Sequence, residues 1–200
     1  MTLTLQERLH AAFHSVTVRR PRDLAGHGIN RVQLGKAVAE GIVQRAGRGL
    51  YMLPGAEVTA QHTFALVGQR NPNGILCLLS ALNFHGLTTQ NPHEVWIALD
   101  HKAWPPQFDA VRLRLVRFSG AALHEGVEEH RIEGVPLKVY NPAKTVADCF
   151  KFRHKVGLDV ALEALRETWR ARRATMDEFH HYARVCRVSN VMQPYLESLA

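Results

Sequence analysis

The segment GIVQRAGRGLYML, residues 41–53, constrains its surroundings more than any other stretch of the chain. Gly47 and Gly49 stand where a tight turn needs positive φ, and β-prone runs flank them. The segment therefore reads as a hairpin, with Ile42 to Ala46 as one strand and Leu50 to Leu53 as the other. Arg45 and Arg48 fall near its tip, where the hairpin offers them little to pack against. Arginines so placed are either plain solvated surface or meet an anion.

What precedes the hairpin gives it a context. Leu3, Leu5, Leu9, Ala12 and Phe13 recur at near-helical spacing, predicting an amphipathic helix over residues 4–13 with Arg8 and His10 outward. Pro21 suits the first position of a short helix, PRDLA, that ends at Gly26. GHG then makes a tight turn. Asn30 is a fitting N-cap for a further helix, whose Val32, Leu34, Ala37 and Val38 are expected to dock inward and which Gly41 ends. Gly35 inside it costs up to about 1 kcal/mol against alanine. Helix, short helix, turn, helix and hairpin is the order of a winged helix-turn-helix, in which the helix after the turn enters the major groove of DNA.

Charge supports an anionic partner for this region. The chain of 200 residues carries a net charge of +7, and its first 55 residues hold eight Lys and Arg against three acids. Most of the surplus thus lies in the first quarter, as in a nucleic-acid-facing N-terminal module. In that frame Asn30, Arg31, Gln33 and Lys36 face outward from the reading helix. Arginine can bridge guanine O6 and N7, asparagine or glutamine can pair with adenine, and lysine neutralises phosphate. Arg19, Arg20 and Arg22 would meet backbone phosphates at the start of the second helix, while Arg45 and Arg48 reach phosphate or minor groove from the hairpin. The competing interpretation is a solvated surface on a small helical domain.

Residues 56–200 change character and are read as a second, α+β domain with a helical tail, so that domains of 1–55 and 56–200 are expected. Thr59 is expected to cap a helix running to about Gln69, and NPNG breaks the chain. ILCLLSALNFHGL reads as a buried helix ending at Gly86. VWIAL and VRLRLV follow as strands, and HRIEGVPLKVY as two strands joined at Glu133 and Gly134. Arg112, Arg114 and Arg117 mark a polar sheet face. After Tyr140, Asn141 and Pro142 give a strong helix start, VALEALRETWRARR is amphipathic, and TMDE has capping-box spacing before FHHYARVC.

Other chemistries find little support. Cys77, Cys149 and Cys186 are odd in number and widely spaced, which fits a reducing cytoplasm and no disulfide framework. The start lacks the pattern of an export signal, and no run approaches the ~18 apolar residues of a membrane span. Phosphoryl or nucleotidyl transfer would need paired metal-binding carboxylates or a phosphate loop, and neither Asp-x-Asp nor a Walker motif is present. His10 with His14, and His180, His181 and Cys186, approach one another in sequence without the tight paired spacing of a zinc site. A Cys77 and His85 nucleophile pair is conceivable, but an apolar run leaves a thiol inert. No cofactor or metal is expected. A protein-binding module using the basic N-terminus on an acidic partner is the remaining class; strong salt dependence of binding would separate DNA from it.

Taken in order, GxxxRxGRGLYML after a helix-turn-helix, LLSALNFHGL, the strand-rich middle and VYNPAKTVADCF resemble the AbiEi family of bacterial antitoxins and transcriptional regulators. Gly35 and the Cys149-Phe150 pair depart mildly from the pattern. The resemblance implies a two-domain cytoplasmic protein whose N-terminal part binds repeats in the promoter of its own toxin-antitoxin operon and represses transcription; an operator with two half-sites would engage two copies, a dimer on DNA. It implies that the C-terminal part counteracts a nucleotidyltransferase-like toxin, with or without contacting it. Ser80, His85, Lys144, Thr145 and Asp148 stand between two interpretations: helix capping and packing, or a surface facing toxin or target.

Overall fold

The computed structural model describes residues 3–106 and 108–199. It has α+β architecture, and the chain folds into two compact units. Unit 1 is Met1–Pro72, Pro106–Arg112 and Glu129–Leu137; unit 2 is Asn73–Pro105, Leu113–Glu128 and Lys138–Ala200. Both units are discontinuous in sequence.

Unit 1 begins with α1 (Leu5–Phe13), α2 (Pro21–Ala25) and α3 (Arg31–Ala39), followed by a two-stranded hairpin of β1 (Gln44–Gly47) and β2 (Leu50–Met52). The starts of α1 and α3 follow from local chemistry. Thr4 and Glu7 close a reciprocal capping box on α1, and Asn30 and Gln33 close another on α3. Leu9, Ala12, Phe13, Leu24, Ile29, Leu34, Ala37 and Val43 form a core that welds the three helices together. Val32, expected inward, is instead 81% exposed, because the inward arc of α3 is taken by Leu34 and Ala37. The hairpin is antiparallel with an irregularity between Arg45 and Gly47, and Gly49 takes φ +71° in its turn. An antiparallel bridge from Arg19 to Tyr51 ties the hairpin to the segment before α2.

Residues beyond 55 complete this unit. Helix α4 (His62–Arg70) brings Leu66 onto Val18 and Leu50, with Ala46, Phe108 and Val111 packed around them. Thr59 does not cap α4, whose N-cap is Gln61; its amide and hydroxyl instead donate to Glu133. That glutamate also accepts from the Thr17 hydroxyl at 2.6 Å and lies 2.7 Å from His62 Nδ1. Burial pushes its carboxyl up, but the hydrogen bonds from Thr17, His62 and Thr59 outweigh this and hold it below the ordinary carboxylate range. Glu133 and Gly134, with φ of +52° and +78°, form the two-residue turn joining β6 (Val127–Ile132) and β7 (Val135–Tyr140).

Unit 2 holds residues 75–76, 95–100, 113–118 and 138–140 of a five-stranded mixed sheet. β3 (Ile75–Leu76) pairs antiparallel with β4 (Val95–Asp100) and parallel with β7, and β4 pairs parallel with β5 (Leu113–Phe118). The sheet order is β5-β4-β3-β7-β6. The apolar run from Ile75 therefore splits: its first two residues are strand, and only α5 (Leu78–His85) is helix, ended by Gly86 in the left-handed region. Around the sheet lie α6 (Ala121–His124), α7 (Pro142–Lys151), α8 (Arg153–Val156), α9 (Leu158–Arg170), α10 (Met176–Val185) and α11 (Ser189–Glu197). Helix α7 is interior, with every residue from Pro142 to Phe150 buried. No described helix is long and apolar enough to cross a membrane.

Candidate nucleic-acid interface

Five guanidinium groups converge in unit 1. Arg20, Arg22, Arg31, Arg48 and Arg70, with Pro21, Gly49 and Pro72, line an open cleft of about 500 Å³. Four elements supply them: Arg20 caps α2 and Arg22 lies on it, Arg31 begins α3, Arg48 sits in the β1–β2 turn, and Arg70 ends α4. Their convergence comes from packing, since the cores beneath α2, α3, α4 and the hairpin hold these element ends close. A groove so lined focuses a positive field and concentrates anions.

The arginines differ in how far they are already committed. Arg20 is paired in a fork with Asp23, Nε to Oδ2 at 3.0 Å and Nη2 to Oδ1 at 3.2 Å. Burial pushes the Asp23 carboxyl up, yet the Arg20 hydrogen bonds and the charges of Arg20 and Arg22 bring it below its usual value. Arg22 is exposed and only 3.8 Å from the same carboxylate, and Arg48 stands equally far from Asp109 with both side chains in solvent. Exposed pairs of this kind are worth about 0–1 kcal/mol, so they exchange readily for a phosphate. Arg31 is exposed with no ion pair among the described residues, and the buried Nε of Arg70 has no hydrogen-bond partner. Arg45, also exposed, shares a second groove with Arg48, Gly49, Tyr51 and Asp109.

The remaining residues of the expected surface lie elsewhere. Arg19 is half-buried and donates its Nε to the Ala12 carbonyl at 2.8 Å, a link that fixes the end of α1. Asn30 and Gln33 use their side-chain oxygens on each other's backbone amides in the α3 cap. Lys36 is exposed, 3.7 Å from Glu40 one turn on. Sequence reasoning missed Arg70; its sole cue was a basic residue at the end of an amphipathic helix.

In unit 2, Ser80, Lys144, Thr145 and Asp148 are buried. A surface role would require an exposure that these four lack, and each is bonded within the core. Ser80 accepts from the Trp96 amide, Thr145 donates to the Tyr140 carbonyl, and Lys144 Nζ meets Asp148 Oδ2 at 2.6 Å. His85 is half-buried, with Nε2 2.8 Å from the Tyr140 carbonyl. Cys77 is fully buried, and burial drives its thiol well above the ordinary range, the reverse of what an attacking thiolate needs. Among the described residues no group of three His, Cys, Asp or Glu side chains could hold a metal ion.

Comparison with known proteins adds two findings. Residues 11–54 match the family described as transcriptional regulator, AbiEi antitoxin, in agreement with the resemblance read from the sequence. The crystal structure of the RV2827C protein from Mycobacterium tuberculosis shares the fold, with a TM-score of 0.63 and 15% identity, over 100% of this chain and 81% of that one. No curated protein matches.

Proposed function

We propose that this chain is a DNA-binding transcriptional regulator of the antitoxin type, as the AbiEi match over residues 11–54 supports. In this reading residues 1–55 act as a winged helix-turn-helix, with α3 as recognition helix and β1–β2 as wing. The observation that carries it is the cleft, which gathers Arg20 and Arg22 of α2, Arg31 of α3 and Arg48 of the hairpin, the three elements that such a module lays on a duplex. Arg22, Arg48 and Arg70 contact phosphate and set position, while Arg31 at the start of α3 reaches base edges and sets sequence. Arg19 contributes by holding the scaffold. Operators with two half-sites engage two copies of the chain.

Residues 56–200 carry the antitoxin part of the role, counteracting a nucleotidyltransferase-like toxin through side chains other than the four interior ones. The test of the DNA reading uses the full chain, because α4 and the Glu133 turn are built into unit 1. Its affinity for duplex from upstream of its own gene is compared with that for random duplex across a salt series. Preference for the upstream duplex, with a steep fall in affinity as salt rises, is the expected result. Equal affinity for both duplexes would refute specific regulation.

A further inference from the structure

Among the described residues of unit 1, Val32 is the most exposed of the large hydrophobic side chains. Leu34 and Ala37 of the same helix are buried, yet this β-branched side chain is 81% exposed at the second position of α3. Its neighbour Arg31 lines the cationic cleft, and Lys36 stands exposed one turn further along. Gly35 lies on the same exposed arc, and a Cβ added there would meet nothing within 4 Å. No packing inside the protein therefore requires glycine at 35 or an aliphatic group at 32. Both choices weaken the helix relative to alanine, and the polar solvent offers valine nothing in return.

A duplex would. The major groove displays hydrogen-bonding edges and one apolar group, the C5-methyl of thymine. Valine lacks donors and acceptors, so of the groups in that groove it favours this one. We propose that Val32 is a specificity-determining residue that packs against a thymine methyl, with Gly35 leaving room for the groove edge to approach α3. The inference rests on the DNA-binding reading above and assigns part of its sequence preference to an apolar contact rather than to Asn30 and Gln33, whose oxygens are occupied in the helix cap. The positive cleft beside Val32 supplies the charge complementarity that brings the duplex to this face.

The test uses the upstream duplex in two forms, one with thymidine and one with deoxyuridine throughout, which differ only in C5-methyl groups. Wild-type protein is expected to bind the thymidine form about fourfold more tightly for each methyl that Val32 covers, the scale of one buried methylene. Val32→Ala should narrow the gap between the two forms, because the shorter side chain covers less of the methyl. Alanine is the better helix former and the site is exposed, so folding is not at risk. Gly35→Ala should raise the melting temperature yet weaken binding to the thymidine form. Equal binding of both forms by wild type, or an undiminished preference in Val32→Ala, overturns the assignment while leaving the DNA-binding reading intact. Failure to select the upstream duplex in either form removes both.

Discussion

Removing the ammonium of Lys144 should be among the most damaging single changes available in unit 2. Lys144 and Asp148 are one turn apart on α7, both with no exposed side-chain surface, and their charged atoms lie 2.6 Å apart. Lys144 Nζ also sits 4.0 Å from the Tyr140 ring centroid and 4.9 Å from that of Phe118, while Asp148 Oδ1 accepts from Cys186 Sγ at 3.2 Å. Lys144→Met leaves the carboxylate with only a thiol donor, and breaking a buried pair in this way costs about 3–5 kcal/mol. That is a large share of the roughly 5–15 kcal/mol that stabilises a typical domain. Replacing both partners, as in Lys144→Met with Asp148→Leu, should be close to neutral, because no charge is then stranded. The singles and the double thus form a cycle with strong coupling.

Urea unfolding followed by tryptophan fluorescence is the assay, since Trp96, Trp104 and Trp169 all belong to unit 2. The pH dependence gives a second readout. Burial already pushes the Asp148 carboxyl up against the pull of Lys144. With the lysine gone, the folded state holds a proton that the unfolded state has released, so the deficit of Lys144→Met should grow as pH rises above the ordinary carboxylate range. A cost below about 1 kcal/mol, or a double variant no more stable than either single, would refute the reasoning.

Other perturbations probe unit 1. Arg48→Ala should weaken all duplexes alike and lower the salt slope by about 1, whereas Arg31→Ala should also relax sequence preference, both read by fluorescence anisotropy across a salt series. Arg70→Ala should behave like Arg48→Ala, and an unaltered salt slope would remove Arg70 from the interface. The Glu133 carboxyl is held below its usual range, so its contribution to stability is complete above that range and drains away as pH falls through the folded value; Glu133→Gln should flatten this acid limb in a melting series. Gly134→Ala places a methyl onto the Ser15 carbonyl at a residue with φ +78°, and should cost more than the about 1 kcal/mol of an ordinary glycine substitution, measured by thermal melt.

Signals that act within four residues are readable in the sequence itself. Thr4 with Glu7, Asn30 with Gln33, Asn141 before Pro142 and Thr175 with Glu178 each mark a helix start through their own hydrogen bonds. The turn at Glu133 and Gly134 is equally plain. Features set by distant partners are not. Ile75 and Leu76 become strand because β4 and β7 supply backbone partners, and an apolar run does not by itself distinguish strand from buried helix. Thr59 resembles a cap, but Glu133, far along the chain, takes its donors. In the candidate interface, the basic surplus and the arginines of α2, α3 and the hairpin are legible, but Arg70 joins the cleft only through the packing of α4. Val32 falls on the opposite side from that expected because two residues are about 200° of helical turn, so it cannot share the inward face that Leu34 and Ala37 occupy.

The interruption of both units along the chain limits how evolution or an engineer can recombine this protein. Grafting a foreign operator preference onto it by exchanging everything up to Pro72 would leave behind Phe108, Val111 and Glu133, which anchor the transplanted piece. Successful chimaeras would have to carry those short downstream inserts as well, or confine the exchange to the exposed arc of α3.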